Sequence, residues 1–163
     1  MASIDWPIWL PPKLELPEGY LDRISLLEEV FDREILGLPL MFDGLRVHLN
    51  MRPESDGRPE CFWHLVGTGS HRGIDIERAV RLPWLRPLLD NHHDPAVLCW
   101  GERNRSGGTN VHMYLEGVDL GYLVVLAPGR RGGYYLVTAH YRGAYSHQRR
   151  KLRRRFHNGL PHK

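Results

Sequence analysis

Histidine is the side chain whose ordinary pKa lies nearest neutrality, so the histidines of this chain are the first place to seek proton-transfer chemistry. His64 sits in Phe62-Trp63-His64-Leu65-Val66-Gly67, a polar ring among apolar neighbours, where it needs a purpose or a partner. A catalytic ring and a core histidine hydrogen-bonded to backbone fit that context equally. His140 lies in Tyr-Tyr-Leu-Val-Thr-Ala-His-Tyr, residues 134–141. As a strand, this segment puts Leu136, Thr138 and His140 on one face, and Val137, Ala139 and Tyr141 on the other. A threonine and a histidine on one face suit phosphate binding and proton transfer, although a solvated sheet face carries the same pair.

Arginine provides the second kind of chemistry. Arg78, Arg81 and, past a proline kink, Arg86 fall on one side of a helical stretch, Ile76 to Arg86. Planar guanidinium groups fork onto phosphate oxygens. A solvated helix face with Asp75 and Glu77 as local partners is the simpler account of that stretch alone. A second cluster, Arg149, Arg150, Lys151, Arg153, Arg154 and Arg155, is of the kind that binds polyanions without reading sequence, or else forms a solvated basic tail. Charge is segregated along the chain. Residues 1–119 carry 12 Lys/Arg against 19 Asp/Glu, whereas residues 120–163 carry 10 Lys/Arg and no acid. The resulting field favours a polyanionic partner at one end of the molecule.

Other chemistries find little support. His92-His93-Asp94 is the one tight ligand-like cluster, and adjacent histidines rarely converge on a single ion. No HExxH, CxxC, phosphate-binding glycine loop or serine nucleophile elbow occurs. The expectation is a site with no metal and no cofactor. Cys61 and Cys99, the only cysteines, make neither a disulfide framework nor a zinc set, which favours a reducing cytoplasm. No apolar run approaches the roughly 18 residues of a membrane span, and the proline-broken start does not read as a signal peptide.

The positioning elements can be read from periodicity. Residues 1–20 hold four prolines and no regular helix, with Trp6, Ile8, Trp9 and Leu10 expected to pack the arm onto the body. Ile24, Leu27, Val30, Phe31 and Ile35 predict a helix over 22–36, stopped by Gly37 and Pro39. Two short strands flank the Asp43-Gly44 turn. Residues 60–67 are open between strand and helix, and the loop 68–73 follows. Asp75 caps a helix reaching about Leu89, divided by Pro83 and Pro87. Four strands follow, joined by Gly107-Gly108 and Gly132-Gly133 turns that favour an antiparallel meander, and the chain finishes as a short basic helix or tail. The expected fold class is α+β: N-terminal helices on an antiparallel sheet of four or more strands.

The ordered set Phe-Trp-His-Leu-Val, Asp-x-x-Arg-Ala-x-Arg-Leu-Pro-Trp, a Trp-ended strand and the basic-ended Tyr-Tyr-Leu-Val-Thr-Ala-His-Tyr resembles the barnase–EndoU–colicin–RelE superfamily of ribonucleases. The likeness is to its phage- and plasmid-associated toxin branch and covers roughly residues 40–156. It implies residues 1–39 as an arm and helix, 40–156 as a nuclease domain and 157–163 as a tail. It also implies metal-independent RNA cleavage. Residue by residue it points to His64, Arg78, Arg81, Thr138 and Tyr141 for catalysis. Arg86, His140, Arg149, Arg150, Lys151, Arg153 and Arg154 are then left to bind RNA, while His140 itself departs from the family pattern. An antitoxin or immunity protein is the partner such toxins imply. The alternatives are a non-catalytic nucleic-acid-binding module and a phage- or plasmid-derived interaction protein.

Overall fold

The computed structural model describes residues 6–69 and 73–162; Ser70, His71 and Arg72 of the expected loop lie outside the described residues. Helix α1 (Tyr20–Val30) runs into a π-helical turn, Phe31–Ile35. Ile24, Leu27, Val30, Phe31 and Ile35 are all buried, as their spacing predicts. The helix stops at Gly37, where a Cβ would lie 2.4 Å from the Arg33 carbonyl oxygen.

The open segment becomes helix α2 (Glu60–Val66), which buries Cys61, Phe62, Trp63, Leu65 and Val66. Beyond it, the Asp75 side chain accepts from the Arg78 backbone N–H and starts α3 (Ile76–Ala79). Pro83 diverts the chain into a single 3-10 turn, Leu82–Trp84, before α4 (Leu85–Asp90). The division at Pro83 follows from its missing donor; Pro87 is accommodated in the first turn of α4, where no intrahelical partner is required.

Seven strands form one sheet: β1 (Met41–Phe42), β2 (Leu45–His48), β3 (Val97–Arg103), β4 (Thr109–Leu115), β5 (Tyr122–Pro128), β6 (Tyr134–Tyr141) and β7 (Leu160–Pro161). Their order is β1-β2-β6-β5-β4-β3-β7. The four long strands are the expected antiparallel meander, so the fold is α+β. The sheet as a whole is mixed, because β2 pairs with β6 in parallel through Val47–Tyr134 and His48–Tyr135. It curls far enough for its two edges to meet: His162, just past β7, lies 2.7 Å from Asp43 in the β1–β2 turn.

Both faces of the sheet are covered. The N-terminal helices bury Met113, Leu115, Tyr122, Val124, Leu126 and Ala139 on one. The basic C-terminal segment is an ordered helix, α5 (Ser146–Asn158), which docks Leu152 against Trp100, Tyr114, Leu123 and Val125 on the other. The helices are therefore not confined to one face, and residues 157–162, read as tail, end α5 and supply β7. The N-terminal arm is anchored by buried Leu10 and by Trp9, whose indole donates to Asp94 at 2.9 Å; Ile8, expected to pack, is fully exposed. Among the described residues no helix is long and apolar enough to cross a membrane.

Candidate functional site in the cleft beside the basic helix

A one-residue irregularity in β6 decides which side chains meet. Val125 pairs with Thr138 while the adjacent Leu126 pairs with Leu136, so Val137 is an extra residue in the strand. Leu136 therefore packs with the helix-side core, and Thr138 and His140 turn to the α5 side. The alternation expected for Leu136, Thr138 and His140 is broken at Val137.

Thr138 and His140 open into a cleft of about 430 Å³ between the sheet and α5. Its floor is Leu123, Val125 and Leu152; its walls carry His112, Arg142, His147, Gln148, Lys151 and Arg155, and no acid is among the lining residues. His147, Lys151 and Arg155 recur at every fourth residue of α5, the spacing that places side chains on one helix face. Another cleft of about 430 Å³ lies on the far side of α5, with Arg103, Arg154 and Glu102 in its wall, and Lys151 and Arg155 line both. The helix is a cationic ridge between two grooves.

Within the first cleft a short relay is visible. The Arg142 Nε–H donates to His140 Nε2 at 2.5 Å, and His140 Nδ1 is 2.6 Å from Thr138 Oγ1. Because Nε2 accepts, a neutral ring carries its proton on Nδ1 and donates it to the threonine oxygen. The Thr138 hydroxyl proton is then free to donate elsewhere. Burial, with Arg142, Arg78 and His64 as positive neighbours, pushes the His140 pKa down from 6.5 to about 4.

The folded protein thus resists protonating this ring. The associated stability is fully present above pH 6.5 and is lost as the pH falls toward about 4. Discounting for partial exposure, unfolding free energy should fall by roughly 1–2 kcal/mol between pH 6.5 and 5 on account of this ring. Urea melts of His140→Gln should show a shallower decline over that interval than the parent. Equal slopes would show that the ring's protonation is not coupled to folding.

Deeper in the cleft, His112 is buried and stacks on Trp100, with ring centroids 5.1 Å apart. Burial lowers its pKa, against the opposing pull of Glu102. The Glu102 carboxylate is held below its ordinary range chiefly by hydrogen bonds from Arg155. His147 differs from both. It is exposed at the cleft mouth and stacks on Tyr145, with centroids 5.6 Å apart.

The residues singled out from sequence divide sharply. Arg81 is 1% exposed, and its guanidinium donates to the Leu120, Asp119 and Glu77 carbonyls and the Glu77 carboxylate. It also lies 4.0 Å above the Tyr141 ring, whose hydroxyl donates to the Val118 carbonyl. This pair braces the β4–β5 loop on the helix side, away from the α5 cleft. Arg86 donates to the carbonyls of Glu34, Ile35, Leu38 and Pro39, satisfying backbone acceptors that the end of the α1–π helix leaves open. Its donors are already engaged, which argues against the RNA-binding role read for it.

Arg78 donates to the His64 backbone carbonyl and fixes α3 to α2. His64 is exposed and borders a separate hollow of about 140 Å³ with Cys61, Leu136 and Val137. Together His64 and Arg78 lie near enough to His140 to act on its charge, yet neither lines the α5 cleft. Of the basic run, Arg149 donates to the Gly143 carbonyl, Arg153 grips Glu116, and Arg155 grips Glu102. Arg150, Lys151 and Arg154 have no carboxylate partner among the described residues.

Of the residues read from sequence, Thr138, His140 and Lys151 line this cleft, together with Arg142, His147 and His112, which the sequence did not single out. The signal for His147 was its four-residue spacing from Lys151, which becomes informative once the segment is known to be a docked helix. The tight cluster His92-His93-Asp94 read from sequence does not form. Both histidines direct Nε2 at Asp43 in the β1–β2 turn, at 2.7 and 3.5 Å from Oδ1, while Asp94 instead accepts from Trp9 and the Ala96 N–H. No family model matches the chain, and no curated protein or solved structure matches it, so the family resemblance rests on the ordered sequence motifs.

Proposed function

We propose that the chain is an endoribonuclease of the metal-independent, toxin-like kind, with its active cleft between α5 and β6. The observation that carries this reading is the acid-free lining of that cleft, which combines a hydroxyl, imidazoles and cations on two facing elements. A phosphodiester needs cations for its oxygens and a group to move a proton, and both are present. In this scheme His147 takes the proton from a ribose 2′-OH as that oxygen attacks the adjacent phosphorus. Arg142 and the Thr138 hydroxyl donate to the non-bridging oxygens. The Lys151 ammonium, one helical turn from His147, protonates the departing 5′ oxygen. The P–O5′ bond breaks, leaving a 2′,3′-cyclic phosphate and a 5′-OH, so the reaction requires RNA.

A second reading, a non-catalytic nucleic-acid-binding module, draws on a specific observation: both ring nitrogens of His140 are engaged. The two readings separate when end-labelled RNA is incubated with the protein in EDTA, its melting curve being recorded in the same buffer. Cleavage to cyclic-phosphate ends, blocked by a single 2′-deoxy substitution at the cut, supports the enzyme. Retention of intact RNA by folded protein supports the module. In either case Arg150→Gln with Arg154→Gln should weaken binding and flatten its salt dependence, since each lost phosphate contact removes about 0.7 from the log–log slope on single strands. An unchanged slope would remove α5 from the RNA interface.

A further inference from the structure

The convergence of Asp43, His92 and His93 has no part in that chemistry. It lies where the curled sheet brings the β1–β2 turn, the segment after α4 and the C-terminal residues together. We propose that Asp43 Oδ1, His92 Nε2 and His93 Nε2 bind a divalent transition ion of the zinc type, which ties the β1–β2 turn to the segment after α4.

The donors are close enough for one ion. All three ligand atoms lie within 4.8 Å of one another, with both imidazole nitrogens converging on Oδ1. An ion about 2.0–2.1 Å from each of three tetrahedrally disposed ligands needs donor separations of about 3.3–3.4 Å. The observed 2.7 Å for His92–Asp43 and 3.5 Å for His93–Asp43 bracket that value, so rotations of the exposed His93 ring and small shifts of the carboxylate suffice. Imidazole and carboxylate together suit zinc-like ions better than hard cations, which prefer all-oxygen sets.

Two further features are those of a built site. His92 Nδ1 is 2.8 Å from the Leu89 carbonyl oxygen, so that nitrogen carries the proton and donates it. The ring is oriented by a backbone acceptor in the manner of metal-bound histidines. Its Nε2 lone pair is then directed at an anionic oxygen, a repulsive contact unless a positive centre stands between them. A metal ion or a second ring proton would each fill that role, and His93 beside them supplies the third donor that a chelate needs. The second feature is His162, whose Nε2 lies 2.7 Å from the other carboxylate oxygen, Oδ2. With Oδ1 on the ion, a His162 N–H holds Oδ2 and fixes the carboxylate as a one-oxygen ligand. His162 also stacks on Phe42, with centroids 5.1 Å apart, so the segment after β7 is seated against the hairpin that supplies Asp43. Three protein ligands would leave a fourth position for water.

The test uses the full chain stripped of metal, titrated with zinc sulfate by calorimetry and followed by thermal melting, without RNA. One equivalent should bind, and a hundredfold excess over the dissociation constant should raise Tm by roughly 5–10 °C. Cobalt(II) should give the visible absorption of a four-coordinate complex. His93→Ala, at a side chain 70% exposed, leaves the fold intact and should abolish saturable binding. His162→Ala should weaken it by about 10–100-fold, the usual effect of an outer-shell partner. His157→Ala, on α5, should change nothing. Absence of saturable binding would overturn the proposal and leave the cluster a histidine–aspartate contact network. Binding that survives His93→Ala would equally overturn it, as adsorption to surface histidines. Since none of these measurements involves RNA, the outcome is independent of the ribonuclease reading.

Discussion

Replacing His147 by alanine should lower the single-turnover rate of RNA cleavage by about 10²–10⁴-fold, the usual loss when a general acid or base is removed. The ring is exposed on the first turn of α5 and its stacking partner Tyr145 is itself exposed, so the melting temperature should stay within a degree or two. Lys151→Gln should slow the same step at saturating RNA, because a group that meets the leaving oxygen acts only in the transition state. Arg150→Gln, on the same helix but outside the cleft lining, should affect binding alone. The pattern depends on orientation around α5 and not on total charge, which a salt series run with each variant would establish. A saturated rate unaffected by His147→Ala and Lys151→Gln would remove the catalytic cleft from consideration. If His64→Ala alone then abolished cleavage, the reacting centre would lie in the hollow that His64 borders with Leu136 and Val137 instead.

The other large effect is one of stability. Arg81→Ala should destabilise the chain by about 3–5 kcal/mol, the range expected on breaking a buried ionic and hydrogen-bonded network. Three backbone carbonyls, those of Glu77, Asp119 and Leu120, would lose their donor, and the Tyr141 ring would lose the guanidinium stacked on it. Arg81→Lys should recover little, since an ammonium cannot reach acceptors spread around a planar fork. Urea unfolding followed by tryptophan fluorescence measures this directly, Trp84 being 5.2 Å from the same guanidinium. Cleavage per folded molecule should be unchanged. A rate collapse in folded Arg81→Lys protein would restore to this residue the catalytic role that the family resemblance implied.

Arg81 illustrates why the sequence could misdirect. Its neighbours Glu77 and Arg78 suggested a solvated or phosphate-binding helix face, but the carbonyls that claim it belong to residues 119 and 120, nearly forty positions away. A local pattern does not contain an acceptor supplied by a distant loop. Arg86 repeats the lesson, satisfied by carbonyls about fifty positions earlier. His92 and His93 do so as well, since the packing of α4 against β1 brings Asp43 to them.

What the sequence determined by itself was set by short-range periodicity and turn chemistry. The α1 face, the Asp43-Gly44 hairpin, the Asp75 cap, the break at Pro83 and the four-strand meander all follow from contacts within a few residues, and with them the α+β class. The segregation of positive charge into the last quarter of the chain was equally legible, because it is additive and needs no geometry. Tertiary structure decided the rest. It paired β2 with β6 in parallel although three α-helices and three strands separate them in the chain, and it placed the extra residue Val137 that turns Thr138 and His140 toward α5. It docked Leu152 on the second face of the sheet, converting an apparent basic tail into one wall of a cleft. Side-chain alternation is a strict period of two only while the register is unbroken, and helix phase has meaning only once a surface is present to receive it. Both conditions are set by residues far away in the chain, so the candidate site is a property of the fold that its own motifs do not contain.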